Sequence, residues 1–427
     1  MDSSQGQPPS LPQSYFEECL ERYAQLLIRH GLNVQPGQRV YLEGQLIHRD
    51  PLYRIARAAW QAGASYVQVD FSDPYLTRLR LLERPDTESL RYVPDFVSKK
   101  FHDMVDEKAA FLRILGSEEP QLLSDLDPGA VHSLQSGHKQ AIRYFYQEGI
   151  GKSRMHWTLA ACATPAWAKE VFPELPEKEA LEALWKQIFT ICRVDSHLFL
   201  ERWKSHNETL HQRAQRLTNL KIEELHFLGG GTDLRVGLSK RALFVGGSSP
   251  GPYANIEYEP NIPTEECFTT PDWRRTEGKA VVTRPAMLNG TLVEGLELTF
   301  SQGELVHFSA RQGAEMFSKI SGADEGAKRL GEVALVGIDS PIYQSGRLFR
   351  ETLFDENAAC HIAIGSAYRF CLEGGAQMSE GEAAELGCNV SNTHCDLMIS
   401  SEEVDVWAIC HTTGEKKLLI QKGRWVE

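Results

Sequence analysis

Apolar positions recur every three or four residues over residues 15–30. Phe16, Cys19, Leu20, Tyr23, Leu26 and Leu27 line one side of a helix that Gly31 is placed to cap. The period then shortens to two: residues 38–42 read as a strand, residues 51–63 as a helix opened by Asp50–Pro51, and residues 65–70 as the next strand. The pattern recurs at residues 110–115 and 155–159, and helices follow over about 178–192 and 195–217. Strands separated by helices of this length imply crossover units and a largely parallel sheet. Beyond Leu220 the texture changes. Residues 224–228 and 233–238 flank Gly229–Thr232, and residues 291–300 and 304–310 flank Ser301–Gln302–Gly303, two hairpin signatures. The expectation is an α/β N-terminal domain over 13–205 with a largely parallel sheet, then an α+β, mostly antiparallel C-terminal domain over 206–427. Their boundary falls in the helical connection between about 190 and 220, and residues 1–12 read as a disordered tail.

At 427 residues the chain exceeds what one compact core usually holds, in keeping with two domains. The net charge of −13 argues against a nucleic-acid or anionic-membrane surface, because both need a basic stripe. No run reaches the ~20 apolar residues of a membrane helix, and no signal peptide is expected. The nine cysteines are odd in number and nowhere spaced as CxxC, which fits reduced thiols in a cytoplasmic protein. The glycines of Gly229–Gly230–Gly231 precede no helical pattern, so they read as a turn and not as a phosphate cradle.

Four segments of the C-terminal half are dense in metal-capable side chains: residues 261–269, 330–336, 354–365 and 391–399. In the last, His394 and Asp396 sit two apart in an apolar run, so strand alternation puts both on one face and Cys395 on the other. A buried strand seldom carries an imidazole and a carboxylate together unless something offsets their desolvation, and a divalent cation would do so. Glu332 heads another run of small and apolar residues, His361 lies within one, and Glu265–Glu266 follow Pro263. Each has a bland reading, as a capping glutamate, a satisfied core histidine or an exposed acidic step. Their co-occurrence in one domain, each on or beside a strand, favours a metal site. Carboxylates with one or two imidazoles suit Zn, Mn, Co or Fe.

Together with Gly31–Gln38 and Thr164–Pro165–Ala166–Trp167–Ala168, these segments resemble the thermophilic aminopeptidase family, peptidase family M29, across nearly the whole chain. The resemblance implies a dimeric metallo-aminopeptidase that removes single residues from peptides with a free N-terminus. It implies two divalent metal ions per chain (Zn, Co or Mn) in the C-terminal, catalytic domain. One of Glu265 and Glu266 is then a ligand, with spacing favouring Glu266. Glu332 matches a glutamate that can bridge both metals, and His361, His394 and Asp396 match the remaining ligands, with Asp396 a candidate second bridge. Glu356 matches a glutamate that serves as general base or touches a metal, and Tyr368 a tyrosine near the reaction centre. Cys395 stands where the family has a small aliphatic residue and Ser400 where it has glycine. Two rival readings remain at this level: a mononuclear iron ring-cleaving dioxygenase using Glu266, His394 and Asp396, and a non-catalytic descendant of the fold.

Overall fold

The structure is a computed structural model that describes residues 13–426 apart from Pro85, Asn289 and Thr412; the tail expected over 1–12 lies outside the described residues. The first part is built on a five-stranded, wholly parallel sheet. Its strands are β1 (Arg39–Gln45), β2 (Tyr66–Ser72), β3 (Ala110–Leu115), β4 (His156–Ala161) and β5 (Asn261–Ile262), in the order β2-β1-β3-β4-β5. The helices α1 (Gln13–Leu26) and α2 (Arg49–Gln61) pack on it, and α1 runs on through a wider turn, Leu27–Gly31. Two later helices, α3 (Glu177–Ile191) and α4 (Phe199–Asn219), complete this part.

Strand β5 comes from far along the chain and crosses back to pair with β4 at Leu159 and Ala160. Only two residues long, it carries no period for a sequence to display. The α4 helix is shared between two cores. Trp203 joins the first, with Leu27, Ile188 and Phe189, whereas Leu210, Ala214 and Leu217 join the second.

The second part holds two antiparallel sheets. The larger has eight strands, in the order Glu304–Ser309, Glu297–Ser301, Pro271–Val281, Thr232–Leu238, Ile222–Gly229, Asp405–Cys410, Lys416–Gln421 and Arg424–Trp425. Gly229 pairs with Thr232, so the first expected hairpin turns on Gly230 and Gly231. Both take positive φ (57° and 85°), as a two-residue hairpin loop requires. The second hairpin forms between Glu297–Ser301 and Glu304–Ser309. Residues 291–293, expected in the same strand, fold back instead on Ala286–Leu288.

The smaller sheet is β6 (Cys267–Thr269), β7 (Leu330–Leu335), β8 (His361–Gly365) and β9 (His394–Met398), in that order and antiparallel throughout. One face of it carries Cys267, Val333, Leu335, Ile362, Ile364, Cys395 and Leu397. These are buried against Leu225, Phe227, Val236, Leu298 and Val406 of the larger sheet. Each large aliphatic side chain so buried contributes about 1.5–3 kcal/mol, which makes the small sheet a firm frame for whatever its opposite face carries. All nine cysteines are free thiols and buried, and among the described residues no helix is long and apolar enough to cross a membrane.

Candidate metal centre

The opposite face of the small sheet is polar and small by turns. Register aligns Glu332, Ala363 and Asp396 in one row across β7, β8 and β9, with Ala334, His361 and Met398 in the next row and Gly365 opposite His394. Alanine between two carboxylates leaves open space where a larger residue would fill it. Gly365 sits at φ 108°, where β8 crowds the chain entering β9; a Cβ there would stand 2.3 Å from the Thr393 carbonyl oxygen. Glu266 arrives at this face from just before β6.

The five expected ligand residues converge. His361 Nε2 lies 3.2 Å from Glu266 Oε2 and 3.5 Å from Glu332 Oε1, and His394 Nε2 lies 3.5 Å from Glu332 Oε2 and 3.3 Å from Asp396 Oδ1. They form two groups, Glu266–Glu332–His361 and Glu332–His394–Asp396, with all candidate ligand atoms of a group within 4.8 Å of one another. Glu332 belongs to both, offering one oxygen to each. The first group is buried. The second opens toward solvent, with the His394 side chain 26 % exposed.

Two hydrogen bonds fix the imidazoles. Nδ1 of His394 donates to the Ser366 carbonyl at 2.8 Å, and Nδ1 of His361 faces the Ala359 carbonyl at 3.4 Å. A carbonyl only accepts, so each ring keeps a proton on Nδ1 and turns Nε2, the nitrogen a cation would take, toward the carboxylates.

The charges respond to one another. Burial acts to lower His361, but the carboxylates of Glu266 and Glu332 outweigh it and hold the imidazole well above its ordinary value. Asp396, Tyr368 and Glu332 do the same for His394. Burial acts to raise Glu332 and Asp396, yet the facing imidazoles hold both low. For Glu266 burial wins and its carboxyl is pushed up. Its Oε2 is buried and meets His361 Nε2 at 3.2 Å without the geometry of a hydrogen bond. A buried carboxylate oxygen so placed, among two more carboxylates and two oriented imidazoles, is what a divalent cation would satisfy. The mixed oxygen and nitrogen donors suit zinc, cobalt or manganese and fit poorly with an all-oxygen calcium site.

Glu356 and Tyr368 flank the cluster without a hydrogen bond to any of the five. Burial and then the charges of Asp396 and Glu266 push the Glu356 carboxyl well above the usual range, and Asn357 Nδ2 faces its Oε1 at 3.4 Å. Tyr368, 38 % exposed, tilts against the His394 ring with centroids 5.5 Å apart. His394 acts to lower its hydroxyl, but burial and the carboxylates of Glu332, Asp396 and Glu356 prevail and raise it.

Glu265 does not join the cluster. It turns away onto Arg193, with Nη2 to Oε1 at 2.7 Å. The two departures from the family pattern are also clear of the ligands: Cys395 faces the apolar core, and the Ser400 hydroxyl accepts the Cys360 amide at 2.9 Å.

Sequence reasoning missed the supports. Asn357 is fully buried; its Oδ1 accepts the Glu265 amide at 2.7 Å, and its Nδ2 donates to the Leu353 carbonyl at 3.0 Å. Asn357 directly follows Asp355 and Glu356, so nothing in the local sequence sets it apart from its polar neighbours. Both N-terminal motifs also lead to this site. Thr164 caps the helix Pro165–Val171 by accepting the Trp167 amide, and the Trp167 indole donates to the Phe349 carbonyl and packs on Phe354, just before Glu356. The Gly31 carbonyl accepts the Glu259 amide, and Asn33 donates to the Glu257 carbonyl, steadying the strand that leads through β5 to Glu266.

The sequence profile of the thermophilic metalloprotease (M29) family matches residues 16–425. Aminopeptidase T of Thermus aquaticus is 41 % identical over 414 residues, 96 % of this chain and 99 % of its own length. Aminopeptidase AmpS of Bacillus subtilis is 35 % identical over 410 residues, covering 96 % and 99 %. The solved structure of wild-type AmpT from Thermus thermophilus superposes with a TM-score of 0.89 at 39 % identity, covering 96 % of this chain and 100 % of that one. The chain therefore belongs to the thermophilic metalloprotease (M29) family.

Proposed function

We propose that the protein is a metal-dependent aminopeptidase that hydrolyses the N-terminal peptide bond of peptides at a dinuclear centre. The observation that carries the reading is Glu332, one carboxylate shared between two ligand groups. With Glu332 shared, Glu266 and His361 would hold one cation, and His394 and Asp396 the other. Two divalent cations held there would make a bound water more acidic and polarise the scissile carbonyl. Glu356, as the carboxylate beside the cluster, takes a proton from the attacking water and delivers it to the leaving amine. Tyr368, protonated at neutral pH, donates a hydrogen bond to the oxyanion from the open side. The carboxylates of the site attract a free α-ammonium group, which accounts for exopeptidase action.

Zinc, cobalt or manganese is the metal, the division between the two parts falls within α4 near residue 206, and the protein works as a cytoplasmic homodimer on peptides, without nucleic acid or membrane. The dioxygenase alternative is not favoured: it needs three ligands, and the cluster also contains Glu332 and His361. The discriminating experiment is release of leucine from a leucyl dipeptide and from its N-acetylated form. The reading predicts release from the first alone; equal release from both would remove the α-amino step, and release from neither would remove the activity.

A further inference from the structure

Four of the five ligand residues lie within the β-ladders of the small sheet, whose register fixes their direction. Glu266 does not. It precedes β6, four residues after β5, on the short span that links the parallel sheet to the antiparallel one. Something outside the ladders must aim it.

The residues just ahead of it are held at three points. His206 Nε2 donates to the Thr264 carbonyl at 2.8 Å, Asn357 accepts the Glu265 amide, and Arg193 pairs with the Glu265 carboxylate. Glu265 points out to Arg193 and Glu266 in to His361, so fastening Glu265 holds the backbone from which Glu266 reaches the cluster. Two of the three anchors come from this neighbourhood, Arg193 from the α3–α4 connection and His206 from α4 itself.

Arg193 is the unusual one. The end of α3 is closed by two backbone bonds, from the Arg193 amide to the Thr190 carbonyl at 3.0 Å and from the Val194 amide to the Phe189 carbonyl at 2.9 Å. That closure places Arg193 at φ 61°, a left-handed position that glycine ordinarily takes. The guanidinium it presents there is directed with care: Nη1 donates to the Ile191 carbonyl at 2.9 Å, the plane lies over Trp203 at 5.3 Å, and Nη2 meets Glu265. The Arg193 and Glu265 side chains are only 17 % and 10 % exposed, so water screens the pair little. A side chain kept on left-handed backbone and aimed at both His206 Nδ1, at 3.2 Å, and the carboxylate beside a functional residue points to a role.

We propose that Arg193 is a positioning residue: through its ion pair with Glu265 it latches Glu266 into the metal centre, so the N-terminal part of the chain governs loading of one of the two cations. The proposal rests on the reading of Glu266 as a ligand. Support one residue removed from a ligand sets affinity by about 10–100-fold when lost.

The test compares zinc binding to the full chain, by competition with a chromophoric chelator, in the parent, Arg193→Gly, Arg193→Gly/Glu265→Gln, Arg193→Lys and Glu266→Gln. Glycine suits the left-handed position, and glutamine at 265 removes the carboxylate that would otherwise be buried unpaired, so the helix end and the fold survive in the double variant. The double variant is expected to bind one zinc about 10–100-fold more weakly, with the other unchanged, and Arg193→Lys to recover part of the loss. If Glu266→Gln weakens one zinc but Arg193→Gly and Arg193→Gly/Glu265→Gln bind as the parent does, the latch is overturned and the ligand reading stands. If Glu266→Gln binds both zincs as the parent does, the ligand reading falls and the latch with it. Loss at both sites in step with a lower unfolding temperature, without recovery by lysine, would reduce Arg193 to general stability and also overturn the latch.

Discussion

Removing the Asn357 carboxamide should damage stability and turnover together, because one side chain serves both. Asn357→Ala leaves the Glu265 amide without its acceptor and takes a donor from the Leu353 carbonyl, both in the interior. A stranded buried amide costs about 1–3 kcal/mol and a lost neutral hydrogen bond about 1 kcal/mol, so the expected destabilisation is roughly 3 kcal/mol. At roughly 2–4 °C per kcal/mol for a folding unit of this size, the melting temperature should fall by about 6–12 °C. The same deletion frees the backbone ahead of Glu266 and removes the donor facing Glu356. Misplacement of a reacting group by about 1 Å costs on the order of 10²-fold in rate, so kcat on a leucyl anilide should drop by that order. Thermal unfolding of the chelator-stripped protein reads the first effect and steady-state kinetics at saturating metal the second. An unchanged melting temperature with unchanged kcat would refute the reasoning, and a stability loss without a kinetic one would confine Asn357 to packing.

Other outcomes follow from the same geometry. Glu356→Gln should retain both metals and lose about 10²–10⁴-fold in kcat; metal analysis beside kinetics checks both halves. Tyr368→Phe should cost about 10²–10³-fold in kcat with little change in KM if its hydroxyl meets the oxyanion, and a rate equal to the parent's would dismiss that role. The chelator-stripped protein should be most stable between the ordinary carboxylate and imidazole ranges. His361 and His394 titrate above their ordinary 6.5 when folded, so their stabilisation is complete below that pH and is lost as pH rises through the folded values. Glu332 and Asp396, held low, contribute above their ordinary 4.5 and 3.8 and lose that contribution on acidification. Urea midpoints from pH 4 to 9 test this, and stability still rising above neutrality would contradict it.

The alternating and helical periods were legible wherever an element was long and had one wet face. β3 forms over residues 110–115 as the pattern indicates, and α1 and α2 lie within two residues of their expected starts. The facing of His394 and Asp396 away from Cys395 was legible too, since alternation within one strand needs no partner. What depended on distant partners was not. Nothing local tells Glu265 from Glu266; a guanidinium 72 residues earlier in the chain draws one of them outward. The open row Glu332–Ala363–Asp396 exists only once three strands are in register, because in sequence Ala363 is one small residue in an apolar run. Strand β5 is fixed by β4 alone, and residues 291–293 leave their expected strand because the chain turns at Gly295, φ 59°.

The central claim is a two-cation hydrolytic centre organised by Glu332, and metal titration of the stripped protein tests it most directly. Chelated protein should show no release of leucine from a leucyl dipeptide, and activity should return as zinc or cobalt is added, reaching its plateau at two equivalents per chain. Glu332→Gln, which removes the shared carboxylate, should weaken both equivalents at once. A plateau at one equivalent, or a Glu332→Gln protein that still binds two and turns over as the parent does, would contradict the account.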